Sequence, residues 1–474
     1  MIPELSRERA LCTFFPGDPV LFFVELCSPL FGGFFNIAHG ELLVAPRYHI
    51  DRVFHRRQQS MRVIVLGAGV IGVTSAWYLS KAGHNVTVID RQPEAGLETS
   101  FANGSQISVC HAEPWANPDV FPKLLRWLGR EDAPLRWRFR LDPAQWMWGL
   151  RFLAQCGPKR TRENIEALVT LGLHSRACLR ALRAELGLQY DQLEKGILHF
   201  YTDAHEFDHA VPQAELMTSL GCPRKIISSA ECLALEPALG HIAPQIVGGT
   251  YTPDDESGDA HIFCRELAQR CVGAGVIFRY DTPVAALTAK DGRIDGVKLE
   301  SGEVLSADSY VVALGSYTPL LLAPLGFSLP IYPAKGYSIT IPLEDDAPAP
   351  TISLTDDGYK LVYSRLGQRL RVAGTAEFCG YDTSLSGARL DALKARTKAV
   401  FPDIHPAGEV EEWAGLRPST PGNVPLIGAS RYPNLFLNAG HGTLGWTLAC
   451  GSGQLLADLV GGKSPEVDPR RYRP

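Results

Sequence analysis

The chain has 474 residues, 45% of them hydrophobic, and a formal net charge of −5. A chain of this length and apolar content can bury a large core and is expected to divide into two domains. The net negative charge gives no support to a nucleic-acid-binding function, which needs a basic surface. The eleven cysteines include no C-x-x-C pair, which favours a reduced, cytoplasmic setting and predicts neither a disulfide framework nor a metal site.

The first 60 residues differ in composition from the rest of the chain. Residues 19–45 contain apolar runs such as LFFVEL and LFGGFF, which Glu25 and Pro29 interrupt. These interruptions argue against a membrane-spanning helix, and no short apolar region leads to a signal-peptide cleavage site. We expect that the functional protein begins at Met61 and that residues 1–60 are an upstream extension; a membrane-surface anchor is the alternative.

A strand and a glycine-rich turn follow Met61. Residues 62–66 form a short β-branched, apolar run that is typical of a buried parallel strand. Gly67, Gly69 and Gly72 then match the pattern G-x-G-x-x-G. In this pattern the first glycine permits a tight turn, the second permits a pyrophosphate to approach the backbone, and the third permits close packing of helix on strand.

The residues after this turn complete a dinucleotide-binding unit. Residues 70–82 predict a helix whose first N–H groups face the phosphates, and residues 85–89 predict the second strand. Asp90 follows directly and is placed to accept hydrogen bonds from ribose hydroxyl groups. An acid here disfavours a phosphorylated ribose, and therefore NADP, but the motif alone does not distinguish FAD from NAD.

The later elements suggest that dinucleotide-binding parts lie at the start, middle and end of the chain, with a different domain between them. This layout fits a large FAD-binding fold better than a compact NAD dehydrogenase. The predicted elements are, in chain order, a polar loop over 98–108, a Trp- and Arg-rich segment packed as helix over 124–153, a surface helix over 162–186, a helix over 260–274 capped by Asp259, strands over 276–280, 282–287 and 309–314, mostly strands over 331–410 with one helix over 388–400, a strand over 434–438, and a helix over 444–460.

Six motifs after Met61 resemble those of the FAD-dependent D-amino acid oxidoreductases. They are VIVLGAGVIGVTSAWYL, ETSFANGSQIS, DDESGDAHIF, PAKGYSIT, GLRPSTPGNVPLIG and NAGHGTLGWTLACGSGQLLADL. Two small departures are Asn103-Gly104-Ser105, where relatives usually carry Asn-Ala-Gly, and Pro421-Gly422-Asn423, where they often carry Pro-Asp-Gly. The first change is small in volume, and the second is a turn variation in which Gly and Asn are both turn formers.

The resemblance implies an α/β fold with two interleaved parts. A Rossmann-type FAD-binding domain is expected over residues 61–115, 225–330 and 411–474. A mostly antiparallel β substrate domain, similar to that of D-amino acid oxidase, is expected over residues 116–224 and 331–410.

The resemblance also implies which residues bind FAD. They comprise the first strand, turn and helix, the residues at the ribose, the loop beside the flavin and the start of the last helix. These residues are Val63, Ile64, Val65, Leu66, Gly67, Ala68, Gly69, Val70, Ile71, Gly72, Val73, Thr74, Ser75, Ala76, Trp77, Asp90, Arg91, Ser100, Asn103, Gln106, Val284, Gly315, Gly442, Thr443, Leu444, Gly445 and Trp446.

Four residues are candidates for a direct part in the reaction. In the family, the arginine of G-[LF]-R-P clamps the substrate carboxylate, and Arg417 matches it. His441 opens the last helix and is either a flavin contact or a packed structural histidine. Lys335 and Tyr337 belong to the strand expected to face the pocket, where an ordinary alternating strand residue is the simpler interpretation. No acid–histidine pair stands out as a base, so the substrate amine is expected to lose its proton to solvent or polar groups.

The function implied by the resemblance is oxidative deamination of D-amino acids to 2-oxo acids and ammonia, by hydride transfer from Cα to FAD. The electrons would pass to a quinone or another acceptor, with the protein cytoplasmic or attached to the inner face of the plasma membrane. Two alternatives share the fold: a glycine- or sarcosine-type oxidase that uses oxygen, and a non-catalytic flavin-binding subunit. Arg417 argues against the second alternative, because a scaffold needs no carboxylate clamp.

Overall fold

The computed structural model describes residues 60–120 and 135–474, together with the backbone of two short strands near residue 40. These strands, β1 (Phe35–Ala38) and β2 (Glu41–Val44), pair antiparallel. They belong to one compact unit, Met1–Gln59, and the rest of the chain forms a second, Ser60–Pro474. The predictions for the rest of residues 1–59 and for residues 124–134 lie outside the described residues.

The second unit contains strands and helices throughout its length. Its strands are β3 (Arg62–Leu66), β4 (Asn85–Ile89), β5 (Gln106–Ile107), β6 (Leu135–Trp137), β7 (Ile197–Tyr201), β8 (Lys225–Ile227), β9 (Gly248–Thr252), β10 (Glu256–Ser257), β11 (Ile277–Arg279), β12 (Val284–Lys290), β13 (Arg293–Leu299), β14 (Val304–Leu305), β15 (Ser309–Val312), β16 (Tyr332–Pro342), β17 (Ser353–Asp356), β18 (Leu361–Leu366), β19 (Arg369–Phe378), β20 (Glu411–Ser419), β21 (Leu426–Ala429) and β22 (Leu435–Ala439). Its α-helices are α1 (Val70–Lys81), α2 (Pro143–Gln155), α3 (Pro158–Leu186), α4 (Ala204–Ser219), α5 (Ser229–Leu235), α6 (Ala260–Gly273), α7 (Thr318–Leu322), α8 (Gly387–Val400) and α9 (Gly445–Val460).

A six-stranded sheet forms the dinucleotide-binding part. Its strand order is β11-β4-β3-β15-β22-β21, and every neighbouring pair is parallel except β21 with β22. The central strands are buried on both faces, which explains their continuous β-branched and apolar sequence. Helices α1, α6 and α9 pack together beside this sheet. The strands predicted over 62–66 and 85–89 are confirmed, and so is the helix that begins at Val70.

The larger sheet is mostly antiparallel and has nine strands. Eight follow the order β20-β16-β19-β18-β17-β7-β9-β8, and β6 pairs with β19. Its hydrophobic cluster includes alternate residues of β16, β18 and β19 and residues on one face of α8. The predicted fold class, a Rossmann-type domain with a mostly antiparallel β domain, is confirmed by this pair of sheets.

The sheet membership of three strands differs from the predicted ranges. Strands β8, β9 and β20 belong to the larger sheet, whereas the sequence ranges 225–330 and 411–474 assigned them to the FAD-binding domain. The reason is long-range pairing: β20 pairs with β16 from Tyr332–Ser419 to Thr340–Glu411. An alternating sequence pattern predicts a strand but does not indicate which sheet that strand joins. The remaining division into domains stays a prediction.

The predicted start of α6 is confirmed in detail. Asp259 precedes the helix, and its carboxylate accepts hydrogen bonds from the backbone N–H groups of His261 and Ile262. The same carboxylate also accepts a hydrogen bond from Arg369 of β19 at 2.9 Å. One residue therefore caps a helix beside the smaller sheet and holds a strand of the larger one.

Candidate active site

A cavity of about 1260 Å³ borders both sheets. From the smaller sheet it is lined by Gly67, Gly69 and Asp90, and from the larger sheet by Val362 and Arg417, among others. The cavity therefore connects the predicted dinucleotide-binding turn with the predicted carboxylate clamp. Its size suits a large cofactor together with a small substrate.

The glycine turn at the end of β3 has the geometry that the motif requires. Gly67 has φ +104°, and a Cβ at this position would lie 2.6 Å from the carbonyl oxygen of Ala313. A Cβ at Gly72 would lie 1.8 Å from the carbonyl oxygen of Gly67, so only glycine lets α1 pack this close. At Gly69 the nearest atom to a Cβ is Ser100 Oγ at 3.5 Å. The backbone at Gly69 is thus open to the close approach of a phosphate.

Asp90 lies at the end of β4 and lines the cavity. Its carboxylate accepts hydrogen bonds from the backbone N–H of Ala68 at 2.5 Å and of Gln92 at 2.8 Å. Burial raises its pKa, and these two hydrogen bonds act in the opposite direction. Next to it, Arg91 lies over the Tyr317 ring at 4.3 Å and pairs with Glu98. Both predicted ribose-side residues therefore lie at the cavity.

The loop over 98–108 connects the two sheets along the cavity. Ser100 Oγ accepts from the backbone N–H of Val70 at 3.0 Å, at the first turn of α1. Asn103 Oδ1 accepts from the backbone N–H of Ser105 at 2.9 Å, which holds a turn in which Ser105 has φ +60°. Gln106 Nε2 donates to Ser353 Oγ of the larger sheet at 3.0 Å. The hydrogen bonds of Asn103 and Gln106 thus hold this loop in place beside the cavity.

The start of α9 forms another part of the wall. Gly442, Thr443, Leu444, Gly445 and Trp446 all line the cavity, as do Val284 and Gly315 from elsewhere in the chain. Gly442 has φ +54°, and the Trp446 indole donates to the carbonyl of Gly258 at 3.1 Å. The first N–H groups of this 16-residue helix provide a site for negative charge.

His441 lies just before α9 with its side chain buried. Its Nε2 lies 2.9 Å from Ser452 Oγ, and no partner for its Nδ1 occurs among the described residues. Burial lowers the pKa of His441 to about 3. The imidazole is therefore neutral, and the geometry favours a packing role for the ring.

Arg417 of β20 presents a guanidinium to the cavity. Its Nη1 donates to the carbonyl oxygen of Thr375 at 2.8 Å, and no acidic partner for it occurs in the part of the chain that the structure describes. Burial lowers its pKa to about 10, so the side chain remains cationic at neutral pH. A half-buried cation at a cavity wall, with fork geometry and no acidic partner among the described residues, is suited to bind a carboxylate.

A bulge in the larger sheet positions this arginine. The register of β16 with β19 shifts between Lys335 and Tyr337, opposite Thr375, which has φ +55°. The bulge turns the Thr375 carbonyl toward Arg417. Opposite it, Gly336 leaves the space that the guanidinium occupies, because a Cβ at Gly336 would lie 2.3 Å from Arg417 Cζ.

Lys335 and Tyr337 lie on the strand face opposite to Gly336. The Tyr337 hydroxyl donates to Glu377 at 2.8 Å, and Lys335 Nζ lies 3.2 Å from Asp382 and 3.8 Å from Glu377. Arg138 also pairs with Glu377. Burial and the neighbouring Glu377 raise the pKa of Tyr337. The structure thus places both candidates in a buried ionic cluster and does not bring Lys335 to the cavity.

A second polar group lines the cavity beside β7, and the sequence did not indicate it. His199 Nδ1 lies 2.8 Å from Asp357, and His199 Nε2 lies 3.4 Å from Cys110 Sγ. The His111 ring lies 4.4 Å from the His199 ring. Arg224 donates to Thr250 and Tyr201 and pairs with Glu113 at 3.3 Å. These residues come from five separate segments of the chain.

The charges of this second group are balanced within it. Burial and Arg224 lower the pKa of His199, and burial and His199 lower that of His111 well below its ordinary value. Burial acts against ionisation of Asp357, but Lys360 and His199 lower its pKa well below the ordinary value. The group therefore consists of two neutral imidazoles among paired ions.

Residues 62–459 match the family described as FAD dependent oxidoreductase. Among curated proteins, D-amino acid dehydrogenase of Dechloromonas aromatica (strain RCB) is 58% identical over 412 residues, which are 86% of this chain and 99% of that protein. D-amino acid dehydrogenase of Paramagnetospirillum magneticum (strain ATCC 700264 / AMB-1) is 56% identical over 408 residues, which are 86% of this chain and 96% of that protein.

Solved structures with the same fold are more distant in sequence. Glycine oxidase from Geobacillus kaustophilus superposes with a TM-score of 0.69 at 23% identity, covering 87% of this chain and 98% of that one. L-proline dehydrogenase from P. horikoshii superposes with a TM-score of 0.68 at 19% identity, covering 87% and 96%. At such identities these likenesses establish the fold only.

Proposed function

The chain belongs to the FAD dependent oxidoreductase family, and on that premise we propose that it catalyses the oxidative deamination of D-amino acids to 2-oxo acids and ammonia. The names of its relatives at 58% and 56% identity support this substrate class. The observation in the structure that carries the proposal is Arg417, a half-buried cation that lines the cavity and has no acidic partner among the described residues. The family assignment confirms the predicted FAD cofactor.

The described residues fit FAD. The cavity is continuous from Gly67 and Asp90 to the start of α9, and Gly69 leaves the backbone of the turn open to a pyrophosphate. Asp90 would hold the ribose, and the loop over 98–108 would run beside the flavin. The first N–H groups of α9 would stabilise negative charge on the flavin ring. Bound FAD supplies the hydride acceptor for the reaction.

Arg417 gives the substrate its orientation. A planar guanidinium holds a carboxylate by two parallel hydrogen bonds and so fixes the direction in which Cα points. The Thr375 carbonyl and the space above Gly336 keep the guanidinium in one position before substrate binds. Preorganisation of this kind contributes to catalysis because the arginine needs no rearrangement in the reaction.

We infer that the substrate amine loses its proton to water in the cavity. The neutral His441 ring is bonded to Ser452. The other candidate is His199, whose ring is bonded to Asp357. His199 lies on β7 and Arg417 lies on β20, and these two strands are five positions apart in the sheet order. At a spacing of about 4.8 Å per strand this separation is roughly 24 Å along the sheet, which is too far for direct proton transfer.

The electron acceptor that we propose is a quinone or another lipophilic carrier, reached at a membrane surface. Large apolar side chains are exposed on α2 and just before it. They are Phe139, Leu141, Trp146, Met147, Leu150 and Leu153. Phe152, on the buried side of the same helix, lines the cavity, so this helix separates the exposed apolar face from the cavity. Aromatic and aliphatic side chains on one exposed helix are typical of attachment to the membrane interface.

Among the described helices, none combines the length and apolar character needed to cross a bilayer.

Anaerobic reduction of the purified yellow protein tests the proposed function. D-Alanine should bleach the flavin absorbance, L-alanine should not, and pyruvate and ammonia should form in equal amounts. If no member of a D-amino acid panel bleaches the flavin, the protein is a flavin-binding subunit without this activity. If bleaching is followed in air by rapid peroxide formation, with no preference for a quinone or dye, the protein is an oxidase.

A further inference from the structure

Three metal-binding side chains converge beside β7, away from Arg417. One ligand atom each from Cys110, His111 and His199 lies within 4.8 Å of the other two. The closest pair, Cys110 Sγ and His199 Nε2, is 3.4 Å apart. This separation is close to that between two ligands of a tetrahedral zinc ion, whose bonds measure about 2.3 Å to sulfur and about 2.0 Å to nitrogen. All three residues line the cavity.

The outer contacts of the two histidines match those of metal ligands. His199 Nδ1 lies 2.8 Å from a carboxylate oxygen of Asp357, and His111 Nδ1 lies 3.1 Å from Ser108 Oγ. Ligating histidines usually donate their second ring N–H to such a partner, which fixes both the tautomer and the ring orientation. With Nδ1 of His199 bonded to Asp357, its Nε2 lone pair faces the Cys110 sulfur.

The charge around the three residues tolerates a cation. Arg224 is the nearest positive group, with Nη2 3.4 Å from His199 Nδ1. Arg224 pairs with Glu113 at 3.3 Å, and the second cation nearby, Lys360, pairs with the Asp357 carboxylate at 2.9 Å, so each positive charge has an acidic partner. The Arg224 guanidinium is also held by Thr250 and Tyr201. A thiolate formed at Cys110 would add one further negative charge.

We propose that Cys110, His111 and His199 bind a divalent ion of the zinc class, with its fourth position open to the cavity. One thiolate and two imidazoles suit a borderline-soft metal such as Zn²⁺ or Co²⁺, and do not suit Mg²⁺ or Ca²⁺. On binding, the Cys110 S–H bond breaks, its proton passes to solvent, and the sulfur donates to the metal without a redox change. Three protein ligands with an open fourth position form the type of site that also binds water or a small ligand.

Spectroscopy of the flavoprotein with Co²⁺ tests this site without relying on activity. Chelator-treated holoprotein is titrated with Co²⁺, and absorbance is followed in the red, where oxidised flavin does not absorb. We expect intense tetrahedral Co²⁺ bands that saturate at one ion per chain and disappear when Zn²⁺ is added. Absence of these bands in a wild-type protein that retains its flavin would overturn the proposal.

Variants identify the ligands. Cys110→Ser and His111→Gln should each abolish the tetrahedral bands, while Cys156→Ser, a buried cysteine elsewhere in the fold, should leave them unchanged. Asp357→Asn should weaken Co²⁺ affinity by roughly ten- to a hundredfold, as expected for an outer partner of a ligating histidine. Tetrahedral bands that persist in both Cys110→Ser and His111→Gln place the ion elsewhere and refute the assignment. If Cys110→Ser or His111→Gln loses its flavin, the spectrum of the variant that retains flavin decides whether the assignment holds.

Discussion

The guanidinium of Arg417 lies over the bare Cα of Gly336. The two residues belong to neighbouring strands, β20 and β16, and a Cβ at Gly336 would approach Arg417 Cζ to 2.3 Å. Real Cβ atoms do not make contacts this short, so any other residue at position 336 must displace the arginine. Gly336, in the motif PAKGYS, therefore leaves the space that the side chain of Arg417, in the motif GLRP, occupies.

Replacing Gly336 by alanine should impair substrate binding without affecting the flavin. The added methyl group forces the guanidinium away from the Thr375 carbonyl and out of line with the substrate carboxylate. We expect KM for D-alanine to rise by about tenfold or more, corresponding to the loss of one charged hydrogen bond, with full flavin content. Steady-state kinetics and the flavin-to-protein absorbance ratio measure the two effects.

Gly240→Ala is the matched control, because nothing lies within 4 Å of a Cβ at Gly240. Its kinetics should equal those of the wild type. If Gly336→Ala also has wild-type KM, the arginine either moves freely or does not bind the carboxylate.

Substitutions of Arg417 itself distinguish its fork geometry from its charge. Arg417→Leu removes both, and we expect KM for D-amino acids to rise roughly a hundredfold while the flavin stays bound. Arg417→Lys keeps the charge but loses the paired hydrogen bonds, so it should restore only part of the affinity. Equal KM values for the lysine variant and the wild type would show that geometry at this position is unimportant.

The dinucleotide-binding unit could be predicted from sequence because its determinants are local. The G-x-G-x-x-G turn, the strand before it and Asp90 fall within thirty residues, and each imposes its own backbone geometry. The G-[LF]-R-P motif likewise identified Arg417. Gly67, Gly69, Asp90 and Arg417, which short motifs identify, all line the cavity, and their roles there stay predictions.

Residues whose position depends on long-range pairing could not be predicted. Lys335 and Tyr337 were candidates because they belong to the strand expected to face the pocket. Gly336 and Tyr337 line the cavity and Lys335 does not, and only the pairing of β16 with β19 and β20, with its bulge, determines this. His199 lies 89 residues from Cys110. A polar histidine inside the apolar strand ILHFY was a signal, yet nothing local connected it with Cys110.

Asp90 should control flavin affinity through its two backbone hydrogen bonds. In Asp90→Asn one oxygen becomes an NH2 group, which cannot accept from the N–H of Ala68 and loses an acceptor for the ribose. We expect FAD to bind about ten- to a hundredfold more weakly, measured by flavin fluorescence on release. Asp308→Asn is the control, because Asp308 also accepts a backbone N–H, that of Arg62 at 2.7 Å, away from the cavity. Equal loss of affinity in both variants would indicate a general effect on folding.

Lys335 should matter for stability and not for turnover. Its buried ammonium pairs with the buried Glu377 and with the partly exposed Asp382, so Lys335→Met leaves Glu377 with fewer partners and should lower the free energy of unfolding by about 3 kcal/mol. Lys394→Met breaks an exposed pair with Glu412 and should cost less than about 1 kcal/mol. Urea unfolding and kcat are measured for both. A large loss of kcat in stably folded Lys335→Met would instead support a catalytic role.

His441 should make the protein sensitive to mild acid. Its pKa is about 3 in the folded protein and about 6.5 in an unfolded chain, so the unfolded state takes up the proton first. The stability linked to this group is present above pH 6.5 and is lost progressively as the pH falls toward 3. Between pH 7 and pH 5 the loss amounts to about 2 kcal/mol.

Removing the titrating ring should remove this loss. His441→Gln keeps a neutral side chain that can bond to Ser452 Oγ, and its free energy of unfolding should therefore fall by about 2 kcal/mol less than that of the wild type between pH 7 and pH 5. Urea unfolding at both pH values gives the difference. The other histidines whose pKa burial lowers, His84, His111 and His199, titrate alike in both proteins and cancel in this comparison. If the two proteins lose the same stability, His441 is accessible to protons in the folded state, and a flavin-side role for its ring gains support over simple packing.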